Sequence, residues 1–303
     1  MNGERGIGES PIDAAAPSTV AQALRAASAA GALGVDRLDA QLLLLHALGR
    51  APHDRAWLLA HDTDPLPAAA WQRFAADCAR RRAGEPVAYL VGEKEFHGLA
   101  LQVDARVLVP RPDTETLVDW ALALLEGQPA PRVLDLGTGS GAIALALQHA
   151  RPDAQVAAVD ASADALAVAR ANAQRLGLPV QFRQADWLDG APEGLDLIAS
   201  NPPYIAAGDP HLPALAHEPV SALVAGADGL VDLRRIVDAA PAHLRPGGWL
   251  LLEHGHDQSA AVQALLLARG FDDVHSRDDL AGIARCTGGV WNRASGTSGR
   301  TVK

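Results

Sequence analysis

The stretch Val133-Leu134-Asp135-Leu136-Gly137-Thr138-Gly139-Ser140-Gly141 constrains this chain more than any other. It reads as a strand, a turn with glycine at alternate positions and the start of a helix. Glycines allow the backbone to pass close to a ligand where a Cβ would clash. The rest of the chain after this turn keeps alternating strand and helix. Strands are predicted at Arg132–Leu136, Gln155–Asp160, Val180–Gln184, Leu195–Ser200, Trp249–Glu253, Phe271–Ser276 and Cys286–Trp291. Helices are predicted at Ala142–Ala150, Ala163–Leu176, Leu230–Leu244 and Gln258–Arg269. Such alternation predicts an α/β fold: a doubly wound, mostly parallel seven-stranded sheet with helices on both faces and ligands at the carboxyl ends of its strands.

The first part of the chain has a different period. Thr19–Ala30 is Ala-rich. Asp36–Leu48 carries Leu38, Leu42, Leu45 and Leu48 at helical spacing and is closed by Gly49. Arg55–His61 and Pro67–Arg82 complete a helical bundle over residues 17–83. Residues 84–110 read as a β-hairpin linker, with Tyr89-Leu90-Val91-Gly92 and Leu99-Ala100-Leu101-Gln102-Val103 as its strands. The sheet domain then spans 111–292. In Val109-Pro110-Arg111-Pro112-Asp113-Thr114-Glu115 the prolines stiffen the backbone, and Asp113 or Thr114 is placed to cap a helix running to about Glu126. Arg111 and Glu115 are either a charge pair or the lining of a site. Residues 1–16 and 293–303 read as frayed tails.

Charge and cysteine content exclude several functions. The net charge of −10 argues against general nucleic-acid binding, which rests on neutralising phosphates. The basic run Arg80-Arg81-Arg82 reads as the last turn of a helix, where cations suit the dipole. Cys78 and Cys286 are too few and too far apart for a zinc site or disulfide framework, and read as buried reduced thiols. His46, His53 and His61 read as surface or packing residues, and His254 and His256 as loop residues without a third ligand, so no metal is expected. The N-terminus lacks a secretory core and no stretch reaches membrane-spanning length, so the expectation is a soluble cytoplasmic protein.

The glycine turn alone leaves the ligand open. Asp160 ends the next strand at about the distance where an acidic residue takes ribose hydroxyls. The spacing also satisfies a relaxed dinucleotide fingerprint, so a nicotinamide or flavin enzyme is compatible with it, as is a tight turn with no ligand. Asp186-Trp187 after the third strand is placed to accept from an adenine amino group and cover its ring; a helix cap beside a half-buried Trp is the plainer alternative.

Asn201-Pro202-Pro203-Tyr204, at the end of Leu195–Ser200, decides among these. Asn-Pro alone is most often a turn opener. Here the prolines stop the strand and leave an amide, bare carbonyls and an aromatic face where the glycine turn would bring a ligand. Hydride transfer needs no such loop, whereas alkylating an amide or amino nitrogen does. At these residues the chain resembles the class I S-adenosylmethionine-dependent methyltransferases of the Asn-Pro-Pro-Tyr type. Further stretches resemble the release factor glutamine methyltransferase family: Gly84-Glu85-Pro86-Val87-Ala88-Tyr89-Leu90, Glu95-Phe96-His97-Gly98-Leu99, Val109–Glu115, His217-Glu218-Pro219, Asp228-Gly229-Leu230, Pro246-Gly247-Gly248 and Asp279-Leu280-Ala281-Gly282. The likeness runs from about residue 18 to 292.

The resemblance implies S-adenosylmethionine as cofactor, peptide chain release factors as protein substrate and the glutamine of their Gly-Gly-Gln loop as methyl acceptor. It implies cofactor contacts from Gly137, Thr138, Gly139, Ser140, Gly141, Asp160, Trp187 and Asn201. Substrate contacts would come from Asn201, Pro202, Pro203 and Tyr204, with Asn201, Pro202 and Tyr204 catalytic. Asp135, Arg111 and Glu218 are secondary candidates, and the helical bundle is the expected docking surface. Three rivals carry weight: a ribosomal-protein glutamine methyltransferase, a nucleic-acid adenine methyltransferase and a cofactor-binding protein without catalysis.

Overall fold

A computed structural model describes residues 16–28 and 31–293. The expectations for residues 1–15 and 294–303 lie outside the described residues, and the Ala-rich first helix ends at Ala27, short of Ala30. The chain divides into two compact units, Met1–Gly92 and Glu93–Lys303.

The first unit holds α1 (Val20–Ala27), α2 (Arg37–Ala47), α3 (Arg55–Ala60), α4 (Ala68–Arg82) and α5 (Val87–Val91). Side-chain caps start the first two: Thr19 Oγ1 accepts from the Gln22 N–H at 3.3 Å, and Asp36 Oδ1 from the Leu38 N–H at 2.8 Å. The buried face of α2 is Ala40, Leu43, Leu44 and Ala47, with Leu45 beside it. It is not the face that the Leu38-Leu42-Leu45-Leu48 spacing picks out, and Leu38 is 46 % exposed. Four consecutive leucines leave the phase of the helix open to the sequence, and packing against Phe74, Leu58 and Cys78 sets it. Each buried leucine contributes about 1.5–3 kcal/mol. The arginines closing α4 are engaged locally, Arg81 with Asp39 at 2.7 Å and Arg80 with Glu85 at 2.7 Å.

Tyr89-Leu90-Val91 is helical, not the predicted strand. Pro86 precedes the first turn of α5 and Gly92, at φ +75°, stops it. These backbone signals override the β-propensity of the side chains. The hairpin is β1 (Glu93–Phe96) with β2 (Leu99–Gln102), pairing Phe96 with Leu99 across His97 and Gly98. Both turn residues have positive φ, as the type I′ form of a two-residue hairpin turn requires.

The second unit continues with α6 (Glu115–Leu124), β3 (Arg132–Leu136), α7 (Ala142–Ala150), β4 (Gln155–Asp160), α8 (Ala163–Leu176), β5 (Gln181–Gln184), β6 (Leu195–Ser200), α9 (Val231–Ala239), β7 (Leu244–Glu253), α10 (Ser259–Arg269), β8 (Asp272–Asp278) and β9 (Ala284–Trp291). The sheet order is β5-β4-β3-β6-β7-β9-β8, parallel except for the two antiparallel pairings made by β9. The expected doubly wound, mostly parallel seven-stranded sheet is present. Alternation along the strands fills both faces. Val133, Val156, Leu197 and Leu251 pack with α6 and α7. Leu134, Ile198, Leu250 and Leu252 pack with α9 and α10 on the other side.

Several element ends shift by one or two residues, and the largest differences fall together, where β7 begins at Leu244 instead of Trp249. The helix predicted to Leu244 ends at Ala239, and Leu244 opens β7. Pro241 explains it, because it has no N–H to donate and its ring clashes with the preceding turn.

Candidate active site

Strand order changes direction at β3, which has β4 on one side and β6 on the other. Connections leaving the two sides of such a point open a crevice at the carboxyl ends of the strands. Leu136 pairs with Ser200, and the Ser200 hydroxyl donates to the Leu136 carbonyl at 2.8 Å. The glycine turn after β3 and the Asn-Pro-Pro-Tyr loop after β6 therefore leave from adjacent, locked positions.

The glycine turn is held by two aspartates. Gly137, Gly139 and Gly141 all have positive φ. Asp160 accepts from the Gly139 N–H at 2.9 Å and the Ser162 N–H at 2.8 Å. Asp135 is fully buried, and its Oδ2 accepts from the Thr138 hydroxyl at 2.6 Å and the Ala144 N–H at 3.2 Å. Its Oδ1 has no partner. Burial pushes the Asp135 carboxyl up to about 7; the Thr138 and Ala144 bonds oppose the rise and nearby Asp160 adds to it.

A cavity of about 310 Å³ opens over this turn. Gly137, Gly139, Asp160, Trp187, Asn201 and Pro203 line it, so six of the expected contact residues face one space. The others fall outside it. The Thr138 and Ser140 side chains are buried beneath the turn, and Gly141 leads into α7. Pro202 is buried, and Tyr204 is half-buried with its carbonyl accepting from Gln258 at 3.0 Å. Trp187, at φ +49°, lays its ring against Gly137, where a Cβ would come within 3.2 Å of it. The Trp187 indole donates to Asp232 on α9, and Asp186 pairs with Arg235 on the same helix at 2.7 Å. Asp232 and Arg235 carried no signal in the sequence, since an acid and a base on a helix face are commonplace.

Behind Asn201 lies a polar cluster that the sequence pattern does not announce. Asn201 Nδ2 donates to Thr114 Oγ1 at 3.2 Å. Thr114 was expected to cap α6, but neither it nor Asp113 does so with its side chain. Asp113 instead stands 3.4 Å from Arg285, which also meets Asp279 at 3.1 Å. Glu253, the last residue of β7, is 1 % exposed and its Oε2 has no partner. Burial pushes its carboxyl up to about 7, with Thr114, Arg285 and Asn201 opposing the rise and Asp113 adding to it. A charge ending the apolar run Trp249-Leu250-Leu251-Leu252, next to the strand that delivers Asn201, was the available signal. Burial also raises the Tyr204 phenol, so the ring is neutral.

Arg111 pairs with Glu218 and not with Glu115, which instead accepts from the His97 N–H at 3.0 Å. Glu218 also accepts from the Val109 N–H at 3.0 Å. His254 is buried and hydrogen-bonded to Thr287 at 2.7 Å. Among the described residues no group of three or more His, Cys, Asp or Glu side chains could hold a metal. No helix of the described residues is long and apolar enough to cross a membrane. Both cysteines are free and buried, and burial raises the Cys78 thiol to about 12.

The chain is similar to known proteins in both of its units. Residues 19–92 match the PrmC N-terminal domain and residues 118–229 the methyltransferase small domain. A methyltransferase of known structure from Pyrococcus furiosus has a TM-score of 0.50, with 18 % identity, over 71 % of this chain and 100 % of that one; it is a likeness of fold. A release factor glutamine methyltransferase from Burkholderia pseudomallei is 49 % identical over 90 % of this chain and 96 % of its own length. One from Bordetella pertussis is 54 % identical over 84 % of this chain and 95 % of its own length. Likeness of that degree, over both units, means that this chain belongs to the release factor glutamine methyltransferase family.

Proposed function

We propose that this chain uses S-adenosylmethionine to methylate the side-chain amide nitrogen of the glutamine in the Gly-Gly-Gln motif of release factors, in the cytoplasm. The observation that carries this reading is the orientation of the Asn201 carboxamide. Nδ2 donates to Thr114 and Asn201 lines the cavity, so its Oδ1 would be the atom that accepts from a ligand there.

The residues suit the cofactor. The cavity falls within the usual range for a small-molecule site. Gly137 and Trp187 form a flat aromatic wall for an adenine ring, and Asp160 stands where ribose hydroxyls would meet a carboxylate. The unpartnered, buried Asp135 Oδ1 suits an ammonium group. When bound, the cofactor supplies a methyl group made electrophilic by a positively charged sulfur.

An amide nitrogen is a weak nucleophile because its lone pair is delocalised into the carbonyl. Asn201 Oδ1 and the Pro202 carbonyl would accept its two hydrogens, fixing the plane of the amide and exposing its π face. Positioning of this kind supplies much of the rate enhancement available without ionising the amide. As the N–C bond forms and the methyl leaves the sulfur, positive charge develops on nitrogen, the same two oxygens stabilise it, and one hydrogen then departs to water as a proton. Tyr204, neutral and half-buried, packs alongside.

The helical unit Met1–Gly92 is the proposed docking surface, because a single glutamine offers too little area for selecting a whole protein. Removing residues 1–83 would then spare cofactor binding and abolish methylation of intact release factor. The direct test is transfer of a labelled methyl group to release factor, ribosomal protein or adenine-containing DNA. Label on the release factor glutamine is expected. Label on DNA alone, or on ribosomal protein alone, would overturn the assignment.

A further inference from the structure

The proposed mechanism uses Asn201 but leaves the groups behind it without a task. Thr114 is 4 % exposed and ends the short turn Pro112–Thr114 ahead of α6. Its hydroxyl accepts from Asn201 Nδ2, so its own hydrogen must be placed elsewhere. The acceptor available there is Glu253: Ser200 pairs with Leu252, which puts Asn201 and Glu253 at adjacent strand ends, and the Glu253 Oε2 is buried without a partner. Thr114 and then Asn201 act on that carboxyl through hydrogen bonding.

A carboxamide has nearly the same shape when rotated by half a turn, but its donor and acceptor exchange places. Flipped, Asn201 would offer N–H groups to an incoming amide that needs an acceptor. A hydroxyl alone does not forbid the flip, because it can donate to Oδ1 as readily as it accepts from Nδ2. A carboxylate behind the hydroxyl removes that freedom. It only accepts, so Thr114 must donate to it and can only accept from Asn201.

We propose that Thr114 and Glu253 are positioning residues that lock the Asn201 carboxamide with its oxygen toward the methyl acceptor, an inference that rests on the proposed role of Asn201. The lock needs Glu253 ionised. The groups that bear on its charge are Asp113 ahead of α6, Arg285 and Cys286 on β9, and Tyr204 after β6. Arg285 is shared with Asp113 and Asp279, so it neutralises Glu253 only in part. A protonated Glu253 could donate to Thr114 Oγ1 and compete with Asn201 for it. Turnover would therefore decline as pH falls through the titration of this group.

The test uses the full chain as Thr114→Val, Thr114→Ser and Glu253→Gln, with release factor as substrate. Thr114→Val should lower kcat about ten-fold or more, as misorientation of a reacting group does. Its cofactor Kd should stay within about three-fold, and Thr114→Ser should recover most of the turnover. Glu253→Gln should flatten the acid limb of the kcat profile. A readout free of turnover is hydrogen exchange at the Asn201 side-chain amide in the ligand-free protein. That amide should be protected in the parent and Thr114→Ser, and unprotected in Thr114→Val. Parental turnover and amide protection in Thr114→Val would overturn the proposal, as would Thr114→Ser being no better than Thr114→Val with both folded. If the parent failed to methylate release factor, the assigned reaction would fall instead, and amide exchange would still decide the lock.

Discussion

The indole N–H of Trp187 donates to Asp232 Oδ1 at 3.1 Å, while the same ring covers the face of Gly137. One side chain thus ties the loop after β5 to α9 and to the glycine turn. Its backbone sits at φ +49°, a left-handed conformation that costs about 1 kcal/mol or more in a residue with a Cβ. That cost is met by packing, and the result is a fixed aromatic wall on the cavity. Gly137→Ala would add a methyl group 3.2 Å from the ring at φ +67°. It should weaken S-adenosylmethionine binding about ten-fold or more by calorimetry. Asp232→Leu should weaken it by a smaller factor and Asp232→Asn hardly at all, since an asparagine oxygen still accepts.

Most of the strands of the sheet could be read from the sequence because their residues alternate between two packed faces and their ends coincide with glycine, proline or a charge. Asp135, Asp160 and Asn201 were legible for the same reason: each ends, or nearly ends, an apolar strand. The polar groups behind them were not. Thr114 precedes a helix, where capping is the commonest use of a threonine, and nothing local says that its hydroxyl serves a loop 87 residues away. Glu253 becomes informative only once β7 is known to lie beside β6. The α2 face and the break at Pro241 escape for different reasons: tertiary packing outweighs periodicity in one case, and a missing proline N–H outweighs it in the other.

Glu218 joins two segments distant in sequence. It accepts from the Val109 N–H and pairs with Arg111, and its side chain is 3 % exposed. Both Val107-Leu108 and Pro219 border the cavity, so this carboxylate fixes two parts of its rim. Glu218→Ala should cost about 2–3 kcal/mol in urea denaturation, because it leaves a buried N–H without a partner. Glu218→Gln keeps an acceptor for Val109 and should cost about 1 kcal/mol. Equal costs would show that the Val109 bond contributes nothing.

Among the carboxyl groups of the described residues, two buried ones are raised furthest, and burial lowers His254, which opposes them below about pH 6.5. Asp135 and Glu253 stand at about 7 in the fold, against roughly 4 in an unfolded chain. Between those values the folded state holds protons that the unfolded state has lost. Stability therefore falls as pH rises through this window, by up to about 1.4 kcal/mol per pH unit for each group, and levels off above it. Asp104, Asp228 and Asp279, whose pKa values are lowered, act with the opposite sign but below about pH 4. Urea titrations at pH 5, 6, 7 and 8 should show the decline in the ligand-free protein. Asp135→Asn and Glu253→Gln should each remove about half of it.

Substitutions at Asn201 separate what its oxygen does from what its nitrogen does. Asn201→Ala removes both, and should lower kcat by about 10²–10³, the usual loss for a single group that stabilises developing charge. Its effect on the Kd for release factor should be small, because one hydrogen bond is a minor part of a protein-sized interface. Asn201→Asp keeps an acceptor of the same shape but replaces the donor that Thr114 receives with an acceptor. It also brings a second carboxyl close to buried Glu253, so one of the two must take a proton. Turnover in this variant should be low, and its stability should fall more steeply with rising pH than that of the parent. Release factor methylation across pH 6–9, with urea titrations in parallel, reads both effects. Parental turnover in Asn201→Asp would mean that the nitrogen is dispensable and that an oxygen in either charge state suffices to orient the acceptor amide.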